Sequence, residues 1–98
     1  MFDWDEGNIA HIAEHGVFPD EAEEVVLNNP LDIDYRVEDG EVRVRQVGET
    51  AEGRILAVAT TERGNLIRVV TAYDASPFLR STYRKYKESW LYGKASST

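Results

Sequence analysis

Thr61-Glu62-Arg63-Gly64-Asn65-Leu66-Ile67-Arg68-Val69-Val70-Thr71-Ala72 carries the strongest structural signal in the chain. Gly64-Asn65 is turn chemistry between two runs rich in β-branched residues, which marks the turn and second arm of a β-hairpin. Alternate side chains of a strand share a face, so Arg68 goes with Leu66 and Val70. A guanidinium on such a face needs a carboxylate, a carbonyl or a phosphate to complete it. Two readings of Arg68 stay open at this level. One is a structural ion pair with an acid of the chain, and the other is an anion-binding site.

The neighbouring sequence extends the hairpin into a meander. Leu31 to Val37 alternates Ile33, Tyr35 and Val37 with Asp32, Asp34 and Arg36, the pattern of a half-buried strand. Asp39-Gly40 is a strong hairpin turn. Glu41 to Val47 follows, with Val42 and Val44 on one face and Arg43 and Arg45 on the other. Glu52-Gly53 makes the next turn, and Arg54 to Glu62 is the most apolar strand and the expected centre of the sheet.

Helices flank the meander. After an extended lead or short strand at Phe2-Asp3-Trp4, Asp5 is placed to cap a helix running to about His15, with Ile9, Ile12 and Ala13 as its apolar face. Gly16 supplies the left-handed backbone of a helix end. Pro19 opens a second helix with Ala22, Val25 and Val26 as its stripe, and Pro30 closes it. Ser76-Pro77 is cap and first position of a last helix, whose stripe is Leu79, Tyr83, Tyr86 and Trp90. The expectation is an α+β single domain: two N-terminal helices, a four-stranded antiparallel meander and a C-terminal helix. Gly93 to Thr98 reads as a flexible tail.

Ninety-eight residues suit one domain with a modest core. With no cysteine there is no disulfide framework, thiolate nucleophile or cysteine zinc site. No apolar run approaches the ~20 residues of a spanning helix, and Met1-Phe2-Asp3-Trp4-Asp5 does not resemble a signal peptide. A soluble cytoplasmic protein is expected. The net charge of −7 is unevenly spread. Residues 1–30 hold eight acids and no Lys or Arg, whereas from Pro77 onward five basic residues face one acid, Glu88. That asymmetry fits a nucleic-acid face or an acidic partner, and equally fits acidic helices lying beside a basic one. Overall acidity disfavours nonspecific binding to RNA or DNA.

Candidate chemistry is sparse. His11 and His15 are four apart on one helix face, a spacing that a metal pair can use, but no third ligand is identifiable and the zincin pattern is absent. A helix-capping role for His15 competes with it, because a cation is favoured at a helix C-terminus. No Ser-His-Asp arrangement, Gly-rich phosphate loop or Walker motif occurs. Tyr83-Arg84-Lys85-Tyr86-Lys87 interleaves aromatics with bases, as a single-strand binder does, but the spacing equally describes core with a solvated basic flank.

Three groups of residues, in order, resemble one family. Trp4-Asp5-Glu6-Gly7-Asn8, His11-Ile12-Ala13-Glu14-His15-Gly16-Val17 and Glu21-Ala22-Glu23-Glu24-Val25 are similar to the N-terminal half of the BrnT toxin family. Arg43-Val44-Arg45-Gln46-Val47-Gly48-Glu49-Thr50, with Gly53-Arg54-Ile55-Leu56, resembles its Arg-containing strand, Gly-x-Thr turn and following strand. Thr61-Glu62-Arg63-Gly64 and Ile67-Arg68-Val69-Val70-Thr71-Ala72 resemble its hairpin, and Arg80 and Tyr83 match its final helix. The resemblance covers about residues 2–88. It implies a RelE-like fold over residues 1–92, and the toxin role in a type II toxin–antitoxin pair. The implied activity is metal-independent endoribonuclease cleavage without a cofactor. The implied partner is a BrnA-like antitoxin with a ribbon-helix-helix part.

Such cleavage needs a base, an acid and cations that hold charge building on the phosphate. The resemblance and the strand positions together assign phosphate stabilisation to Arg43 and Arg68, with Arg63 and Arg80 as further RNA contacts. His15, Glu62 and Tyr73 are the candidates for proton transfer, His15 foremost because imidazoles as a class titrate near neutrality. Tyr83, Arg84, Tyr86, Lys87 and Trp90 of the last helix are the expected antitoxin contacts. The chain departs from the family at Glu14 and Tyr73, where a basic residue is usual, and at Pro77-Phe78-Leu79, which replaces a charged stretch. Those departures support a second reading, a catalytically silent protein-interaction domain on the same fold.

Overall fold

The computed structural model describes residues 1–96, with side chains through Tyr92. The element order is α1 (Glu6–Ala13), α2 (Pro19–Leu27), β1 (Leu31–Glu38), β2 (Glu41–Glu49), β3 (Ile55–Arg63), β4 (Leu66–Asp74) and α3 (Pro77–Ser96). The four strands form one antiparallel sheet in the order β1-β2-β3-β4. This is the α+β arrangement expected from the alternation and the turn residues. Asp39 and Gly40 both have positive φ (51° and 76°), as a tight hairpin with right-handed strand twist requires. Gly64, at φ 62°, turns β3 into β4.

Local sequence fixes the helix ends. The Asp5 side chain accepts from the N–H groups of Gly7 and Asn8, and the Asn8 side chain accepts from the N–H of Asp5, a reciprocal cap. Regular helix stops at Ala13. The N–H groups of Gly16 and Val17 then bond back to Ala13 and Ile12, with Gly16 at φ 72°. In α2, Glu21 reaches back to accept from the Phe18 N–H, and Pro19 occupies the first turn. The opening lead is extended rather than a strand: Phe2 makes one isolated parallel bridge to Ile67 on the outer edge of β4.

Two layers of core lie on opposite faces of the sheet. On the first face, Ile12, Val17, Ala22 and Val25 of the α1–α2 region pack on Leu56, Val58, Val69 and Ala72, with Phe2 and Trp4 alongside. Gly48 sits under α2. A Cβ built there comes within 3.0 Å of Val25 Cγ1 and 3.3 Å of Pro30 Cβ, so glycine lets α2 sit this close without its neighbours shifting. On the second face, Leu79 and Tyr83 of α3 cover Val47, Ile55 and Ala57, with Leu31 and Ile33 beside them. Arg54 ties the ends together, donating to Asp74, to Glu21 and to the Gly16 carbonyl.

Two expectations are corrected. In α1 only Ile12 of the proposed apolar face is buried; Ile9 and Ala13 are exposed. The second buried residue is Asn8, whose amide donates to the carbonyls of Asp3 and Val69. A polar residue takes that place because the helix lies against the open edge of β4, where carbonyls need donors. In β1, Ile33, Tyr35 and Val37 do not share a face. A register shift between Asp32 and Asp34 breaks the alternation. Ile33 packs under α3, while Tyr35 and Val37 stay 73% and 66% exposed. The last helix is described to Ser96, and Ser97 and Thr98 of the suggested tail lie outside the described residues.

Cover thins toward the Gly40 turn, where Tyr35, Val37 and Val42 of β1 and β2 stay exposed. At this end one face of the sheet carries those apolar side chains, and the other carries Arg43 and Arg68.

Candidate functional site

The arginine face is built by register. Thr61 of β3 pairs with Arg43 of β2 on one side and with Arg68 of β4 on the other. Directly opposed residues of antiparallel strands point to the same face, so Arg43 and Arg68 share it across three strands. Arg45, opposite Ala59, and Arg63, opposite Leu66, belong to the same face. A second register shift, between Ala59 and Thr60, inserts Val70 as an extra residue of β4. Strict alternation would put Thr71 and Tyr73 on the face away from Arg68. The bulge turns both to the arginine face and sends Ala72 to the core face, where alternation already puts Val69.

Two adjoining hollows of about 220 Å³ each open on this face. The first is lined by Arg43, Arg63, Arg68 and His11; the second by Arg43, Arg45, Thr71 and Tyr73 among others. His11 comes from α1 at the β4 edge, with Nε2 hydrogen-bonded to Thr71 Oγ1 at 3.1 Å. The His15 ring follows at 5.4 Å from the His11 ring, and 6.2 Å from the ring of Tyr73. The two imidazoles therefore run along the rim of the arginine face.

Every guanidinium here already meets a carboxylate. Arg68 donates to both oxygens of Asp5 at 2.9 and 3.2 Å, with Asp3 3.5 Å away. Arg43 donates to Glu38 at 2.7 Å and approaches Glu41 at 3.7 Å. Arg63 shares Glu41 at 3.1 Å. Arg45 donates to both Asp34 oxygens and, at 3.4 Å, to the Tyr73 hydroxyl. The Arg68 hydrogen bond, reinforced by the backbone N–H of Asn8, holds the Asp5 carboxyl below the usual carboxylate range. Arg45 does the same to Asp34. One donor is left over: Arg43 Nε is buried and has no partner among the described residues. So the ion-pair reading of Arg68 describes what the side chain touches, while the hollow describes the space the face leaves for a ligand.

Of the residues singled out in the sequence, Arg43, Arg63 and Arg68 come together in one hollow, and Tyr73 joins through the neighbouring one. His15 stands on the rim beside Tyr73. Glu62 does not join them. It pairs with Ile67 and faces the opposite side of the sheet. Arg80 is exposed on α3 and lines neither hollow. Within α3, Tyr83 is 1% exposed and belongs to the core, and burial raises its phenol pKa. Tyr86 is half-buried and hydrogen-bonded to Asn29 Oδ1 at 3.0 Å; Lys87 pairs with Glu49. Trp90 is half-buried with Nε1 unpartnered among the described residues, and Arg84 is exposed. His11 is the site residue that sequence reading passed over as half of a metal pair. Its signal was the four-residue spacing to His15 on a helix that has to pack beside a strand edge.

Residues 4–77 match a family model described as ribonuclease toxin, BrnT, of type II toxin-antitoxin system. That match spans most of the chain and includes α1, α2 and all four strands; the chain belongs to this family. No curated protein matches it. Family membership gives it the toxin side of a toxin–antitoxin pair, with a ribonuclease role and an antitoxin as partner. No helix among the described residues is long and apolar enough to cross a membrane.

Proposed function

We propose that this chain is a metal-independent endoribonuclease toxin of the cytoplasm, active through its arginine face and neutralised by a BrnA-like ribbon-helix-helix antitoxin. Residues 1–92 form the toxin domain. The observation that carries the reading is the convergence of Arg43, Arg63 and Arg68 on one hollow with His11. Fixed guanidiniums aimed at one spot stabilise charge that builds on phosphate oxygens in the transition state.

In the proposed step the RNA 2′-oxygen attacks the adjacent phosphorus. The new O2′–P bond forms as the P–O5′ bond breaks, giving a 2′,3′-cyclic phosphate and a free 5′-hydroxyl. The 2′-hydroxyl proton passes to His11, and His15 returns a proton to the leaving 5′-oxygen. Arg43 and Arg68 hold the non-bridging oxygens; Arg63 steers the strand. Tyr73, oriented by Arg45, offers a ring for a base to stack on and a hydroxyl for hydrogen bonding. Glu62 has no part in this scheme because it lies on the other face. The antitoxin contact on α3 falls to exposed Arg84 and its flank rather than to Tyr83.

The test is cleavage of single-stranded RNA at low salt with a metal chelator present. Wild type is expected to cleave, and Arg43→Ala, Arg68→Ala and His11→Ala to lose most of the activity while staying folded. Cleavage that requires an added divalent ion, or that survives Arg68→Ala unchanged, overturns the scheme. The second reading, a catalytically silent interaction domain, is favoured by the carboxylates that already occupy each guanidinium. No cleavage by wild type together with tight antitoxin binding would establish it.

A further inference from the structure

Toward the Gly40 turn, the face of the sheet opposite the arginines is apolar. Tyr35 opposes Val44, and Val37 opposes Val42, so the four side chains form one patch. Tyr35, Val37 and Val42 are 73%, 66% and 53% exposed. The patch continues as a groove of about 660 Å³ that runs from Val26 at the end of α2 past Val42, Val44 and Ile67. A second hollow of about 500 Å³ shares Asp32, Val42 and Val44 with it. Contiguous exposed apolar surface of this kind marks an interaction site. The β1 register shift creates it, because that shift takes Tyr35 and Val37 off the face that α3 covers.

Charge identifies the occupant. The groove is bordered by Asp32, Glu41 and Glu62, and no Lys, Arg or His lines either hollow. Neither Asp32 nor Glu62 forms a salt bridge among the described residues; Asp32 accepts only from the Gln46 amide. RNA is repelled by such a border. A second copy of this chain would bring the same acids against one another, at a net charge of −7 per copy. An amphipathic helix with an apolar stripe and Lys or Arg flanks satisfies both floor and border.

We propose that this groove docks a basic amphipathic segment of the antitoxin, with Tyr35, Val42 and Val44 as its apolar floor and Asp32 and Glu62 as its charge partners. This rests on the toxin–antitoxin reading above for the identity of the partner, not for the chemistry of the surface.

Two measurements test it. The first titrates the antitoxin encoded with this chain against wild type and variants by calorimetry. Val42→Lys and Tyr35→Lys are expected to weaken binding by roughly tenfold or more, an anchor-sized effect. Phe18→Lys, at an apolar residue that is 65% exposed outside the groove, is expected to leave it unchanged. Thermal unfolding checks that all variants stay folded. Full binding by Val42→Lys and Tyr35→Lys overturns the groove while leaving the toxin reading intact. An antitoxin that wild type does not bind overturns the toxin reading. The second measurement uses a Leu/Lys amphipathic peptide and its Leu/Glu counterpart, followed by backbone amide shifts. Shifts at Val42, Val44 and Ile67 with the Leu/Lys peptide alone support the proposal. Shifts elsewhere, or equal binding of both peptides, overturn it. So does a dimer of the free protein that Val42→Lys abolishes, because the groove would then belong to a second copy.

Discussion

Replacing Arg68 by alanine tests the arginine face most directly, through the salt dependence of RNA binding. Each phosphate neutralised on a single strand contributes about −0.7 to the slope of log K against log salt. Three guanidiniums line the hollow with His11, namely Arg43, Arg63 and Arg68. If all three meet phosphates, the slope is about −2, and affinity falls roughly 20-fold between 50 and 200 mM salt. Arg68→Ala reduces the slope to about −1.4, and the same change of salt then costs roughly sevenfold. Asp5 complicates the binding itself, since it occupies both terminal nitrogens of Arg68 and RNA has to displace it. Asp5→Asn weakens that competition yet keeps a good helix cap, because Asn accepts from the same N–H groups. That variant is expected to bind RNA more tightly than wild type, with the slope little changed. The assay is fluorescence anisotropy of a labelled single-stranded RNA over a salt series, with a chelator to remove metals. A wild-type slope in Arg68→Ala, together with no gain in Asp5→Asn, would mean that Arg68 serves only to hold the N-terminal lead against β4.

Three further outcomes follow from packing and charge. Tyr83→Ala opens a cavity between α3 and the sheet and is expected to cost about 3–5 kcal/mol, lowering the Tm by at least about 12 °C in thermal unfolding; a loss of a degree or two would return Tyr83 to the partner surface. Gly48→Ala forces a methyl against Val25 and Pro30, and is expected to destabilise by about 1–3 kcal/mol in urea titration, with unchanged stability showing that α2 moves aside freely. The stability held by the Asp5–Arg68 pair is present above the ordinary carboxylate value of 3.8 and is lost as pH falls through the depressed folded value. Wild type should therefore lose more melting temperature than Asp5→Asn on acidification below that pH, and parallel curves for the two proteins would remove the pair from the acid response.

Much of the architecture was legible because it depends on local chemistry. Asp39-Gly40 and Gly64 set the two hairpin turns, Asp5 and Pro19 set the helix starts, and Gly16 set the first helix end. Those residues act through φ preference and nearby N–H groups, which a sequence carries openly. The two register shifts were not legible. Nothing in Asp32-Ile33-Asp34 or Val69-Val70-Thr71 distinguishes a bulged residue from a paired one, since the choice is made by the partner strand and the layers above and below. Each shift decides a face. The one in β4 gathers Thr71 and Tyr73 beside Arg68, and the one in β1 frees Tyr35 and Val37. The place of Glu62 is different, because alternation from Thr61 would have put it off the arginine face. The family resemblance drew attention to its chemistry and not to its direction. The α3 stripe shows the opposite balance: its helical spacing fits a buried role, and Tyr83 is indeed interior.

The two faces of the sheet constrain how neutralisation can work. Thr60 and Thr61 are consecutive in β3, and their pairings put Val44 and Val69 on one face with Arg43 and Arg68 on the other. The proposed antitoxin groove and the proposed RNA site are therefore separated by a single layer of backbone. A helix confined to the groove touches no guanidinium of the RNA site. An antitoxin that blocks RNA must continue around the Gly40 turn or the β1 edge, or must move the sheet itself. The Leu/Lys peptide separates these routes, since it is too small to reach around. If it and RNA bind independently, blocking comes from the part of the antitoxin beyond the groove. If the peptide alone weakens RNA binding, the sheet transmits the contact, and Glu41 is the side chain placed to do it: it lines the groove and also pairs with Arg43 and Arg63. Glu41→Gln would then uncouple the two ligands without removing either site.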